Sequence, residues 1–237
     1  GSEAHFLEEQ MNPTRIKQYL DASRDSEKAK GMKWLLAMMS KGRDASDFFS
    51  DVVKNVVAHS VEVKKMVYTY LVHYADATPA CRELALLSIN SFQKDLAAQN
   101  QLIRALALRV MTSIRVADII QIQLLAVRKC ASDSSPYVRK CAANAIPKLA
   151  RPSGPDDDDD DDRSALVALV EQLLGDSSTM VLGSAVAAFN EICPTSWASI
   201  HPVFRKLCHL LADLDEWAQI VALGVLERYV RTHFADP

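Results

Sequence analysis

The stretch QLIRALALRVMTSI (Gln101–Ile114) sets Ile103, Ala107, Val110 and Ile114 at steps of four, three and four residues. Those steps keep one face of an α-helix apolar; a strand would need alternation by two. Four other stretches lie over it in the same register: VEVKKMVYTYLVHYA from Val61, PYVRKCAANAIPKLA from Pro136, TMVLGSAVAAFNEI from Thr179 and EWAQIVALGVLERYV from Glu216. Anchored on Val63, Ile103, Val138, Val181 and Ala218, they recur at steps of 40, 35, 43 and 37 residues. Four positions beyond each anchor stand Val67, Ala107, Ala142, Ala185 and Ala222, mostly small; eleven beyond stand Tyr74, Ile114, Leu149, Ile192 and Tyr229, all apolar. A small residue one turn after the anchor lets a second helix approach closely. Repeats of this length are those of two-helix HEAT or armadillo units, so the register predicts an all-α, right-handed α-solenoid.

Partner helices are expected between the repeats, near 46–59, 80–98, 117–131, 163–174 and 197–212. A short helix near 14–20 and a longer one near 25–41 open the array, and the last helix ends near Phe234. Ser60, Asn100, Ser134-Ser135-Pro136, Asp176-Ser177-Ser178 and Asp213 mark the turns. Pro147 should kink its helix by removing one backbone donor. The final helix stays apolar through Ile220, Val221, Leu223, Val225 and Leu226 with no polar cap, which reads as a piece of a longer solenoid. The expected organisation is a tag and flexible N-terminus over 1–13 and a solenoid over 14–237.

Composition narrows the classes of function. The 237 residues are 49% hydrophobic and 24% charged, the balance of a folded globular chain. Seven glycines, one of them in a Gly1-Ser2 cloning scar, leave little room for a nucleotide-binding loop. There is no apolar run of membrane-spanning length and no signal peptide, so the expectation is a soluble intracellular chain. Cys81, Cys130, Cys141, Cys193 and Cys208 are odd in number and scattered, as reduced core thiols are. Residues 1–150 carry 21 basic and 15 acidic side chains, whereas residues 151–237 carry 6 and 15. Seven of those acids form the run Asp156–Asp162. Following Arg151-Pro-Ser-Gly-Pro155, the run reads as a solvated acidic loop over 151–162 rather than a calcium loop, which would space its ligands.

No catalytic constellation is present: there is no HExxH, GxSxG, GxxxxGK[ST] or CxxC. Cys208 and His209 are adjacent and diverge by about 100° on a helix, so with His201 they make a poor metal set. No metal, cofactor or catalytic residue is expected. Nucleic-acid binding is disfavoured by a pI near 6.1 and by aromatics at core positions. Lys64, Lys65, Arg104, Arg139 and Lys140 recur just after the anchors and predict a structural ladder to turn carboxylates or helix C-termini. The repeat alone would equally suit another HEAT scaffold, such as a nuclear transport receptor or a phosphatase scaffold.

Particular strings narrow the choice. LALLSINSFQKDLAAQNQLIRALALRVMTSIRV, SPYVRKCAANAIPKLA and ASRDSEKAKGMKWLLAMMSKGRDASDFF (22–49) resemble the N-terminal trunk of the beta-adaptins. Together with Asp215-Glu216-Trp217-Ala218-Gln219 and Arg228–Phe234 they look most like the beta-subunit branch of adaptor complex 3, a vesicle coat adaptor. The Asp run departs from that pattern and reads as a lineage-specific insertion. The resemblance implies a non-enzymatic scaffold in vesicle-mediated protein transport, sorting cargo from Golgi or endosome to lysosome or vacuole. It implies a second large, a medium and a small subunit as partners, together with an Arf-class small GTPase and an anionic, phosphoinositide-bearing membrane surface. An accessory trafficking protein is a further partner it allows. The implied location is cytoplasmic, peripheral on Golgi and endosomal vesicles. By the same resemblance Leu86 and Ile89, three apart on one helix face, take the GTPase, with Leu84, Leu87 and Phe92 competing for the inward stripe. The resemblance likewise implies that Lys28, Lys30, Lys33, Lys41 and Arg43 face the phosphoinositide surface, whereas by themselves they read as a solvated helix face.

Overall fold

The computed structural model describes residues 12–150 and 161–234. Every regular element among the described residues is helical, and the chain divides into two compact units, Gly1–Arg115 and Val116–Pro237. In the first unit the helices are α1 (Pro13–Asp21), α2 (Asp25–Ser40), α3 (Phe49–Val53), α4 (Val61–Tyr74), α5 (Pro79–Leu87), α6 (Ile89–Asp95) and α7 (Gln101–Ser113). α2 packs on α4 and α4 on α7, while α1, α3 and α6 cover the outside. In the second unit they are α8 (Ile120–Ala131), α9 (Pro136–Leu149), α10 (Asp161–Leu174), α11 (Thr179–Ile192), α12 (Phe204–Leu210) and α13 (Glu216–His233). There α9 packs on α11 and α11 on α13, with α8, α10 and α12 as partners.

All fifteen register positions are buried, from the anchors Val63, Ile103, Val138, Val181 and Ala218 to the closing Tyr74, Ile114, Leu149, Ile192 and Tyr229. Each buried Val, Ile or Leu contributes about 1.5–3 kcal/mol of transfer free energy, so one stripe of four holds its helix in place. Four of the five repeated helices also start alike. Ser60, Asn100, Ser135 and Asp215 each accept a first-turn N–H on a side-chain oxygen, satisfying a donor that the helix itself leaves free. In the second unit the approach of α11 to α13 is close enough that a Cβ at Gly183 would lie 2.8 Å from that of Ala218.

The partner helices differ from expectation. The one expected over 80–98 is two, α5 and α6, with Ser88 between them at φ −101°, ψ 7°. The Ser88 N–H turns to the Ala85 carbonyl three residues back, tightening the last turn of α5. Between Trp197 and Asp213 the chain makes three short 3₁₀ turns around α12 instead of one helix, and Pro202, which has no N–H to give, lies in the second of them. Pro147 stands near the end of α9, which continues to Leu149, so its missing donor removes a bond only from the final turn. Residues 151–160 lie outside the described residues. Asp161 and Asp162, expected in a loop, instead form the first turn of α10, where carboxylates favour the positive end of the helix dipole. Asp162 also accepts a hydrogen bond from Gln121 at 2.7 Å. Residues 1–11, read as tag and flexible terminus, lie outside the described residues, and helix begins at Pro13 with Asn12 as its cap.

Candidate interaction surface

α2 carries most of the basic candidates, and its packing decides which way each points. Gly31, Met32 and Leu35 are buried; the Gly31 backbone sits so near α1 that a Cβ there would meet Leu20 and Tyr19 at 3.1 Å. With that face inward, Lys30 and Lys33 lie exposed about 60° apart on the opposite side, and Ala37 and Lys41 continue the same exposed stripe. Lys28 does not belong to it. Its ammonium turns inward to Asn55 Oδ1 and reaches the Leu20 carbonyl at 3.5 Å. Asn55, 2% exposed, donates in turn to the Leu20 and Asp51 carbonyls, each at 2.9 Å. Lys28 is therefore a tie between α1, α2 and the 3₁₀ turn Lys54–Val57, a correction to its placement on the membrane face.

Lys41 and Arg43 sit in the turn that ends α2. Gly42, at φ +73°, adopts the left-handed conformation that this cap needs. Its N–H bonds the Met39 carbonyl and the Arg43 N–H bonds that of Met38, each at 3.0 Å. The loop is then clamped to α4: the Ala45 N–H donates to Tyr74 Oη at 2.9 Å, and the Tyr70 hydroxyl donates to the Ala45 carbonyl at 2.5 Å. Burial pushes the Tyr70 hydroxyl pKa well above its ordinary range, so it remains a donor.

Leu86 and Ile89 fall on opposite sides of the break at Ser88, so they do not share one continuous helix face. Both are half-buried. Ala85 and Phe92 hold the inward positions, whereas Leu87, expected to compete for them, is 79% exposed. The tightened turn at Ser88 shifts the angular position of everything after it, and this moves the apolar stripe.

Three of the five recurrent basic residues, Lys64, Arg104 and Arg139, form the expected ladder. In the first unit Lys64 bonds both Asp95 oxygens at 2.8 and 3.0 Å, and the Tyr68 hydroxyl donates to Asp95 at 2.5 Å. Burial, then Asp95 itself, drives the Tyr68 pKa far upward, so that hydroxyl keeps its proton. Arg104 Nη1 donates to the Ala98 and Gln99 carbonyls, each at 2.9 Å. In the second unit Arg139 makes the same contacts to Asp133 and Ser134 and grips Asp176 at 2.8 Å. Gln219 reaches the Ala212 and Leu214 carbonyls from the equivalent position. Burial pushes the Asp176 carboxyl up, but Arg139, the Ser178 N–H and Lys206 together hold it below its ordinary pKa. Lys65 makes only an exposed pair with Glu62 at 3.3 Å.

His201 pairs through Nδ1 with Tyr229 Oη at 2.6 Å, while Cys208 and His209 are exposed. Among the described residues no three His, Cys, Asp or Glu side chains are grouped to hold a metal ion. Nor, among them, is any helix long and apolar enough to cross a membrane.

Compared with known proteins, residues 8–237 match the family described as the adaptin N terminal region. The chain belongs to that family. This adaptin is 51% identical over 222 residues to the AP-3 complex subunit beta of Dictyostelium discoideum, a match covering 94% of the chain and 19% of that relative. It thus spans about a fifth of the length of the curated relative. A chain in a homology model of the full-length AP-3 complex in an intermediate open conformation matches all of it, and 37% of that chain, at TM-score 0.65 and 29% identity. A computationally designed armadillo repeat protein for modular peptide recognition covers 90% of the adaptin, and 97% of its own length, at TM-score 0.61 and 20% identity. That likeness concerns the fold alone and places it among armadillo and HEAT-like solenoids.

Within this adaptin the sequence signals the ladder cations but not their partners. Asp95 and Asp176 lie 31 and 37 residues beyond Lys64 and Arg139, and no local pattern ties them together. Lys206, whose pKa burial pushes down, bonds the Leu174 and Asp176 carbonyls and had no sequence signal at all.

Proposed function

We propose that this adaptin is part of the scaffold of a beta subunit in an AP-3-type adaptor complex, working without catalysis in vesicle-mediated protein transport from Golgi or endosome toward lysosome or vacuole. The identity of about one residue in two to an AP-3 beta subunit, sustained over 94% of the chain, carries the reading. The buried repeat register supports it, because a stacked-helix scaffold gives long surfaces for other subunits. Immunoprecipitation of the endogenous protein followed by mass spectrometry tests it. A second large subunit, a medium and a small subunit should be recovered together; recovery of nuclear transport cargo or phosphatase subunits, or of no adaptor subunit, overturns it.

The finer partners follow on the surface. An Arf-class GTPase would meet Leu87, with Leu86 and Ile89 beside it. Leu87→Glu changes an exposed side chain, so loss of GTP-dependent binding with an unchanged melting temperature supports this contact, and unchanged binding refutes it. An anionic, phosphoinositide-bearing membrane would meet Lys30, Lys33, Lys41 and Arg43. Each basic residue beside such a surface contributes about 1 kcal/mol, so Lys30→Glu with Lys33→Glu should weaken vesicle flotation by well over tenfold. Flotation indifferent to that change, or to anionic lipid, refutes it. Peripheral attachment to Golgi and endosomal vesicles is the location this predicts.

A further inference from the structure

The first unit contains a pocket of about 380 Å³, walled by Ile16, Trp34, Met38 and Phe48 and edged by Lys41 and Arg43. We propose that it docks an acidic linear segment of a partner protein that carries one bulky apolar side chain.

Three observations lead there. The floor is apolar and concave, of a size that takes one or two side chains and not a whole helix face. A tryptophan and a methionine line it, residue types that anchor and adapt to an inserted side chain. The rim is cationic: Lys41 and Arg43 flank the opening, and the Lys17 ammonium stands 6.0 Å from the centre of the Phe48 ring. From Asn12 to Arg43 the chain has eight basic and three acidic side chains; Lys28 is turned inward, and the other seven basic ones still outnumber the acids. Asp44 lies just beyond and accepts the Ser46 N–H at 2.9 Å.

The pocket is also built before any ligand arrives. The left-handed turn at Gly42 and the double clamp of Ala45 by Tyr70 and Tyr74 hold the rim against α4. A pre-ordered rim spares the ligand the entropic cost of organising it. A lipid headgroup fits less well. It has nothing apolar to fill the floor, and insertion into a bilayer calls for a protruding apolar surface, whereas this one is recessed. An acidic segment with an aromatic or long aliphatic side chain satisfies floor and rim together. The inference does not depend on the adaptor-complex reading.

The probe is a fluorescein-labelled nonapeptide with a central phenylalanine between two runs of four glutamates, followed by fluorescence anisotropy against the intact chain. Saturable binding should weaken about tenfold or more when the phenylalanine is replaced by alanine, the loss typical of an anchor side chain. Ala37→Glu, at an exposed helical position that lines the pocket, should weaken it comparably without lowering the melting temperature, and Lys41→Glu should do the same. In a chain carrying Lys30→Glu with Lys33→Glu, which removes most of the attraction to an anionic membrane, phosphatidylserine vesicles should not displace the peptide. Equal binding of the alanine peptide would mean charge alone is read and would overturn the proposal. So would binding indifferent to Ala37→Glu, no saturation up to about 1 mM, or displacement by the vesicles from the Lys30→Glu, Lys33→Glu chain, which would assign the pocket itself to membrane.

Discussion

Asp95 is 6% exposed and serves two donors at once, the Lys64 ammonium and the fully buried Tyr68 hydroxyl. Asp95→Ala strands both. A buried hydroxyl left without a partner costs about 1–3 kcal/mol, and breaking a buried ion pair from one side costs about 3–5 kcal/mol. Lys64 keeps about a fifth of its side chain in water, 20% against 9% for Asp95, which lowers the second figure. We therefore expect Asp95→Ala to destabilise by about 3 kcal/mol. Tyr68→Phe leaves the Lys64–Asp95 pair intact and should cost about 1.5–3 kcal/mol, the worth of a hydrogen bond to a charged group. In the Tyr68→Phe background Asp95→Ala no longer strands a hydroxyl, so the two losses should fall short of additivity by about 1 kcal/mol or more. Urea unfolding by circular dichroism, with equal slopes checked across the four proteins, measures the cycle. A loss under about 1 kcal/mol for Asp95→Ala, or strict additivity, would refute the view of Asp95 as a shared buried acceptor.

Two glycines of the second unit should behave oppositely. Gly183→Ala drives a Cβ to 2.8 Å from that of Ala218 and should destabilise by about 1–3 kcal/mol, whereas Gly224→Ala, in α13 with nothing within 4 Å, should stabilise by about 0.5–1 kcal/mol; thermal melts decide both. The Asp176 carboxyl is held below its ordinary pKa, so the unfolded chain takes up that proton first on acidification. Its contribution is complete above about pH 5 and fades as pH falls through the lowered value. Arg139→Leu should therefore flatten the acid limb of melting temperature against pH, and an unaltered limb would show that the pair contributes nothing there. Of the five cysteines only Cys208 is exposed, and burial pushes the Cys193 thiol up to about 11. A thiol reagent at neutral pH should label one site quickly in the folded protein and all five in urea; rapid labelling of two or more in the folded state would contradict the burial.

The repeating helices were legible because their signal is local. A stripe such as Ile103, Ala107, Val110 and Ile114 is written within fourteen residues, and a helix with that stripe has one way to hide it. Register, cap residues and the buried face of each repeated helix therefore came from the sequence, as did the family through longer strings such as Ala22–Phe49. The sites were less legible. Resemblance put Lys28 with Lys30 and Lys33, yet Lys28 points at Asn55, 27 residues away. Leu87 appeared as a core candidate, yet it lies about 160° around α5 from the buried Ala85 and is 79% exposed.

What the sequence alone determined is thus the helical repeat and its inward face, set by the period of apolar residues. The tertiary structure alone decided which cation is a tie and which lie at a pocket rim, and that Ile16, Trp34, Met38 and Phe48 enclose one pocket. Those outcomes depend on pairings between residues some tens of positions apart. The short-range spacing of side chains carries no record of such distances.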